Sequence, residues 1–281
     1  AGGARMTRRA APCRMRRLCR AGAAPSIAAA APDAAAAALL PDYSTSRDVL
    51  HPPGQAHWLG TNDIGQDVLA GLMAGLPNTI VIPIVVAAVS LLLAGTFAAL
   101  AALRGGWAEA VVLRGVEVLQ VLPSMFLLLL LAAWIRPGFA GVVLLLALTS
   151  WHDDVRVLRA VILREATRES LHYARVNGAG WLYCLRRHIL PSAWPAVTAI
   201  YVQNVRGGVM KVAGLGFLGL IDPRLVTWGG MMQDALPYLY DTAWLWLLLP
   251  PACALALFLA ALILVGQRLE ERALPGSAAP R

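Results

Sequence analysis

Charged side chains are scarce in this chain of 281 residues. Asp, Glu, Lys and Arg make up 14% of it, against about 25% in soluble domains. Hydrophobic residues make up 58%, and the mean hydropathy is +0.63. This composition excludes an ordinary soluble domain. Several apolar runs approach the ~20 residues that a helix needs to cross a bilayer, so the sequence predicts an all-α, polytopic membrane helical bundle.

Lysine occurs once, as Lys211. A Walker A loop requires Gly-Lys followed by Ser or Thr, whereas Lys211 lies between Met210 and Val212. The chain therefore contains no standard P-loop. If it takes part in an ATP-driven process, the ATPase is another polypeptide.

Cysteine is also sparse, and the four residues show no metal or redox spacing: Cys13, Cys19, Cys184 and Cys253. No G-x-S-x-G or H-E-x-x-H motif occurs. His152, Asp153 and Asp154 are consecutive, so on a helix they point in different directions, and we interpret them as the solvated inner end of a span. The sequence predicts no catalytic residue, metal or cofactor.

Basic residues outnumber acidic ones by 24 to 16. They lie in short segments beside apolar runs, which indicates membrane topology and contact with lipid rather than nucleic-acid binding. Residues 1–20 form a basic N-terminus that we expect in the cytoplasm. It contains seven arginines: Arg5, Arg8, Arg9, Arg14, Arg16, Arg17 and Arg20.

Six segments are predicted to span the membrane: 21–40, 77–103, 119–135, 139–150, 191–210 and 243–265. The first is marginal, because Pro25, Pro32 and Asp33 interrupt it and an acidic residue near a helix centre costs about 2.5–3.5 kcal/mol. Without it, the basic N-terminus would share a side with the acidic segment that follows. Pro123 predicts a kink in the third span, and residues 104–117 form a short amphipathic inner segment.

The predicted organisation has a periplasmic loop at 41–76, a transmembrane domain at 77–270 and a tail at 271–281. With both termini in the cytoplasm, 19 basic residues fall inside and four outside, and an excess of inner Lys and Arg is the usual orientation signal. The four outer ones are Arg47, Arg136, Lys211 and Arg224.

Residues 166–190 form a polar, basic island between apolar runs. Trp181, Leu185 and Ile189 share one face of a predicted helix. Gly178 and Gly180 precede that helix, at the place where a bend is least costly. We predict two short helices joined by a glycine bend on the cytoplasmic side.

Several motifs resemble the permease subunit of binding-protein-dependent ABC importers of the dipeptide, oligopeptide and nickel branch. Residues 57–69 read HWLGTNDIGQDVL, close to the family's H-P-L-G-T-D-D-L-G-R-D-V-L. The family's S-W-x-x-x-x-R-x-x-R is matched by Trp151, Arg156 and Arg159. Its S-F-L-G-L and S-W-G motifs resemble residues 216–220 and Trp228-Gly229. The island resembles the family's cytoplasmic coupling loop. The loop positions that correspond to the family's site are His172, Tyr173, Ala174, Asn177, Gly178, Ile189 and Pro191. Ala174, Gly178 and the ending 188–191 match the family's residues, whereas His172 and Tyr173 replace its Glu and first Ala.

The resemblance implies a methionine-importer-like fold of about six transmembrane helices in the inner membrane. It also implies that the chain is half of a pathway completed by a second homologous permease. Two cytoplasmic ATPase subunits would grip the loop, and an extracytoplasmic substrate-binding protein would deliver cargo. Peptide is the expected cargo, with nickel or an opine-like chelate as the alternative.

Gln203, Asn204 and Arg206 form a polar cluster late in the fifth predicted span. An intramembrane charge usually faces a bundle interior or a water-filled path, so these side chains are candidates for the translocation pathway. Alternatively, Arg206 extends outward to the membrane surface.

Two other classes of membrane protein also have this composition. An ion-driven secondary transporter would need carboxylates inside its spans, and Asp33 is the only such residue in the predicted spans. A membrane enzyme would need a catalytic constellation, and none is present. An ABC exporter would also be driven by ATPase subunits, but the motifs of this chain resemble those of importers.

Overall fold

The computed structural model describes residues 45–121, 123–167 and 176–273. All the regular secondary-structure elements within these residues are helices. The principal helices are α1 (Val68–Arg104), α2 (Gly106–Val121), α3 (Ser124–Ile135), α4 (Phe139–Ala166), α5 (Trp181–Cys184), α6 (Leu190–Phe217), α7 (Trp228–Asp234), α8 (Trp244–Leu247) and α9 (Leu249–Ala273). A π-helical turn, Leu185–Ile189, joins α5 to α6, and a 3₁₀ turn, Leu236–Tyr238, follows α7. The predicted first span, residues 21–40, lies outside the described residues.

Helix α1 begins at Val68, well before the predicted start of the second span at Pro77. The Asp67 carboxylate caps it by accepting hydrogen bonds from the amides of Leu69 and Ala70, at 2.8 and 3.2 Å, and this satisfies donors that have no partner within the helix. The last part of the predicted 41–76 loop is therefore helical. Pro77 and Pro83 lie within the helix.

The predicted third span is divided between two helices. Helices α2 and α3 meet at an angle of 72° across a break that contains Pro123. The predicted kink is therefore present, but the residues before it belong to α2. The inner amphipathic segment and the start of the predicted span form one helix.

Helices α4 and α6 flank the polar island, and both pack against α1. One buried cluster, near the island, joins α1, α2, α4 and the end of the island; it contains Ala94, Ala98, Val116, Val155, Leu158, Cys184 and Ile189. A second cluster joins α1, α3, α4 and α6 at the opposite end; it contains Ile82, Val86, Leu128, Val142, Leu146, Val212 and Leu215.

By length and apolar composition, two described helical segments can cross a membrane: Val68–Arg104 and Trp244–Leu269. The bent α2–α3 pair passes the same criterion when it is taken as one span. Helices α4 and α6 are long enough but carry polar side chains at mid-length, and some of these face each other. The second and sixth predicted spans thus correspond to α1 and α8–α9.

Candidate functional site: the coupling loop and a polar layer between α4 and α6

The glycine bend is present in the described part of the island. Gly178 has φ +83°, a left-handed conformation that costs a residue with a Cβ roughly 1–2 kcal/mol. Gly180 does not adopt it, so only one of the two glycines is required for its backbone angles. Asn177 precedes the bend, whereas His172, Tyr173 and Ala174 lie outside the described residues.

The helix after the bend differs from the predicted α-helix. The Leu190 amide donates to the Leu185 carbonyl, which is the i→i+5 bond of a π turn. Cys184 and Ile189, five residues apart, are consequently buried at 0% and 2% exposure, while Leu185 is only partly buried. Leu185 and Ile189 of the predicted face both contact the buried cluster of α1, α2 and α4, and the π turn adds Cys184 to the buried side.

The end of the island is packed into the helical bundle. Cys184 and Ile189 pack into the cluster formed by α1, α2 and α4. Pro191 occupies the first turn of α6, where a missing amide proton costs nothing. A displacement of this loop would therefore pass directly to α6 and the surrounding helices.

Polar side chains link α4 and α6 at mid-length. The Asn204 amide donates to the Asp154 carboxylate, and the Lys211 ammonium donates to Ser150 Oγ at 2.7 Å. We call Ser150, Asp154, Asn204 and Lys211 the polar layer. These four side chains satisfy one another where two amphipathic helices meet.

The polar layer corrects two sequence interpretations. Lys211 does not lie in a loop after the fifth predicted span, because α6 continues to Phe217 and the lysine bonds to α4. Asp154 is not at a solvated inner end, because it is partly buried against Asn204.

The predicted pathway residues do not form one cluster. Asn204 belongs to the polar layer, whereas Gln203 and Arg206 are exposed on other faces of α6. At about 100° per residue, Gln203, Gly207 and Met210 form one stripe beside the layer, and Arg206 borders it on the far side. A Cβ added at Gly207 would meet no other atom within 4 Å, so this stripe is open in the isolated chain.

The arginines of the tryptophan motif have structural partners. Arg159 pairs with Glu109, and Arg156 Nη2 lies 3.7 Å from Glu117 Oε1. Both pairs join α4 to α2. These motif positions therefore fix the bend between α2 and α3 against the helix that leads into the island.

The acidic motif before α1 contains two Asx-type turns. Asn62 Oδ1 accepts from the amides of Ile64 and Gln66, at 3.2 and 2.7 Å, and Asp67 caps α1. His57 Nδ1 lies 2.9 Å from Asp67 Oδ2. These hydrogen bonds fold the motif into a compact connection that leads into α1.

Close backbone packing follows α6. A Cβ on Gly229 would lie 2.2 Å from the Ala213 carbonyl oxygen, and the Trp228 indole donates to the Leu72 carbonyl at 2.9 Å. These contacts bring the W-G motif against both α6 and the start of α1. The same end contains Asp234, where burial, and secondarily the charge of Asp63, raises the pKa of the carboxyl.

Comparison with known proteins agrees with this architecture. The sequence profile described as "Binding-protein-dependent transport system inner membrane component" matches residues 91–275. The oligopeptide transport system permease protein OppC of Mycobacterium tuberculosis is 32% identical over 232 residues, covering 82% of this chain and 79% of that protein. The Bacillus subtilis OppC is 28% identical, covering 82% and 76%.

Two solved structures share the fold. An inward-facing MetNI methionine ABC transporter has a TM-score of 0.58 at 16% identity, covering 72% of this chain and 96% of that one. An amino acid ABC transporter has a TM-score of 0.52 at 19% identity, covering 73% and 93%. The predicted methionine-importer-like fold is confirmed. The chain belongs to the family of inner-membrane permease components of binding-protein-dependent ABC importers, whose ATPase is a separate subunit.

Proposed function

We propose that this chain is one half of the translocation pathway of a peptide importer. The relatives described above are named as oligopeptide permeases, and this supports peptide over nickel or an opine-like chelate as cargo. A second homologous permease completes the pathway. A substrate-binding protein delivers the peptide to the outer segment around residues 45–67.

The proposed site of coupling is the island, residues 166–190, held on the cytoplasmic side with both termini. The observation that carries this assignment is that a left-handed glycine bend is followed by a buried segment. Gly178 bends the chain at φ +83°, and Cys184 and Ile189 bury the segment after the bend in the helical bundle. Two ATPase subunits grip such loops, and their closure moves the bundles as rigid bodies.

The proposed pathway wall includes the exposed stripe of α6, with Gln203 and Arg206, together with Asn204 of the polar layer. A stripe with an exposed amide and an exposed guanidinium is costly against lipid. A water-filled path shared with the second permease would solvate it. Replacement of Arg206 by Leu is expected to alter the rate or the selectivity of uptake.

The experiment is co-purification followed by reconstitution. Val176 and Tyr183 are 72% and 56% exposed on the island, so Val176→Asp and Tyr183→Asp alter its surface and leave Cys184 and Ile189 in place. We expect both variants to lose the ATPase subunits and ATP-driven peptide uptake in proteoliposomes. Trp58→Asp, at a position 74% exposed in the outer segment, is the control and should retain the ATPase. Retention by all three variants would remove the coupling assignment.

A further inference from the structure

Two exposed arginines lie in the π turn that joins the island to α6. Arg186 and Arg187 are both exposed, and neither forms an ion pair with an acidic side chain among the residues that the structure describes. The two arginines of the tryptophan motif differ, because each faces a carboxylate of α2. The π turn therefore presents two positive charges that the described part of the chain does not neutralise.

Apolar side chains continue this exposed surface along the start of α6. Leu190 and Trp194 are 44% and 58% exposed, whereas Ile189 and Ala193, which precede them, are buried. Arg186, Leu190 and Trp194 follow one another at intervals of four residues, so they lie on the same side of the helical segment. We call the exposed set the basic-aromatic surface: Arg186, Arg187, Leu190 and Trp194.

The end of α1 marks the level of this surface in the membrane. Helix α1 can cross a bilayer by length and composition, and Arg104, in its last turn, is its only charged residue. Leu103 packs against the buried cluster that contains Ile189. The other end of α1 is covered by the outer segment, since Val68 is buried in a cluster against which Leu50 packs. The apolar run of α1 therefore meets a membrane surface near Arg104, where basic residues flank membrane spans, and the basic-aromatic surface lies at that level.

We propose that the basic-aromatic surface binds the headgroup of an anionic phospholipid in the adjacent leaflet. A guanidinium can form two parallel hydrogen bonds with a phosphate, and the net negative charge of the lipid complements the two unpaired arginines. Tryptophan is enriched at membrane interfaces, where its ring lies at the level of the headgroups, and Leu190 beside it can contact the acyl chains.

The exposed tryptophan and leucine distinguish this partner from an acidic surface of an ATPase, which would complement the arginines alone. The opposite side of the same segment is buried in the bundle through Cys184 and Ile189. A bound lipid would therefore hold the end of the island between the bundle and the membrane surface. This inference goes beyond the proposed function, because it does not depend on the cargo.

The test uses the complete transporter in phosphatidylcholine nanodiscs that contain a small fraction of a photoreactive lipid, either phosphatidylglycerol or phosphatidylcholine. Cross-links within residues 190–201 are counted by mass spectrometry, and the ratio of phosphatidylglycerol to phosphatidylcholine cross-links is compared between variants. Wild-type protein should favour phosphatidylglycerol. Arg186→Gln/Arg187→Gln should lower the ratio by about fivefold for each arginine removed, whereas Arg186→Lys/Arg187→Lys should retain most of it, because the attraction depends on charge. Arg47→Gln/Arg224→Gln, which removes two exposed arginines elsewhere, should behave as wild type.

Three results would overturn the inference. An unaltered ratio in Arg186→Gln/Arg187→Gln would show that the arginines do not bind the lipid. An equal loss in the lysine variant would indicate that the guanidinium groups have a structural role. Release of the ATPase subunits from the glutamine variant, with the ratio unaltered, would assign the surface to the ATPase. The assay measures no uptake, so these results leave the proposed peptide cargo untouched.

Discussion

The glycine bend of the proposed coupling loop yields a prediction that can be tested with a matched control. Gly178 has φ +83°, whereas Gly180, two residues further on, does not adopt a left-handed backbone. A Cβ at either position would meet no other atom within 4 Å. Alanine at the two positions therefore differs in backbone strain and not in steric contact.

The expected effect of Gly178→Ala on ATPase binding follows from the free-energy cost of the left-handed conformation for alanine. An L-residue with a Cβ pays roughly 1–2 kcal/mol there, which corresponds to about 5- to 30-fold in the population of the bend. If the ATPase binds only the bent loop, Gly178→Ala should weaken its binding by the same factor. Gly180→Ala should leave binding unchanged or improve it slightly, because alanine reduces the freedom of the unbound loop.

The assay is titration of the ATPase subunits onto the permease pair in lipid nanodiscs, with the dissociation constant measured for each variant. Thermal unfolding of both variants checks that the bundle is intact, since Cys184 and Ile189 are unaltered. Equal dissociation constants for Gly178→Ala and Gly180→Ala would refute the reasoning that the ATPase binds the loop with position 178 in the left-handed conformation.

Two further predictions concern stability. Gly229→Ala should lower the free energy of unfolding by about 1–3 kcal/mol, because its Cβ would overlap the Ala213 carbonyl. Gly214→Ala, within α6, should be neutral or slightly stabilising, because a Cβ there would meet no neighbouring atom within 4 Å; similar melting temperatures for the two would contradict the packing argument. Burial raises the pKa of Asp234 above its ordinary value of 3.8, so the folded protein binds the proton more tightly, and stability should fall as pH rises from that value through the raised pKa. Asp234→Asn should abolish this dependence in melting curves taken across acidic pH; an unchanged slope would exclude Asp234 as its source.

The family motifs could be found from the sequence because they depend on local chemistry. Asn62 and Asp67 form Asx-type turns that short polar side chains make within a few residues of themselves, and Gly178 marks a positive φ that favours glycine. Each of these features has the geometry that its pattern predicts. Long apolar runs likewise identified α1 and α8–α9.

The polar layer could not be predicted because it depends on packing between distant segments. Asp154 and Asn204 are fifty residues apart, and no local pattern indicates that they meet. The apolar run predicts a fifth span that ends at Met210, which places Lys211 in the loop that follows. The signal that could have corrected this was the run Val212–Phe217, which continues the helix past it.

The π turn was missed for a related reason. The sequence from Trp181 to Ile189 has ordinary α-helical spacing, and it is burial of Cys184 and Ile189 in the cluster of α1, α2 and α4 that selects the wider turn. Tertiary packing decides the register of such a short segment. Cys184 is consequently unsuitable as an accessible probe of the loop.

The central claim is that the loop containing Gly178 lies on the cytoplasmic side, where an ATPase can bind it. Val176→Cys on the loop and Trp58→Cys on the outer segment, at positions 72% and 74% exposed, can be introduced into a variant without native cysteines. A membrane-impermeant maleimide is then applied to intact cells and to inside-out vesicles. We predict that Val176→Cys reacts only in inside-out vesicles and Trp58→Cys only in intact cells. Labelling of Val176→Cys in intact cells would contradict the account.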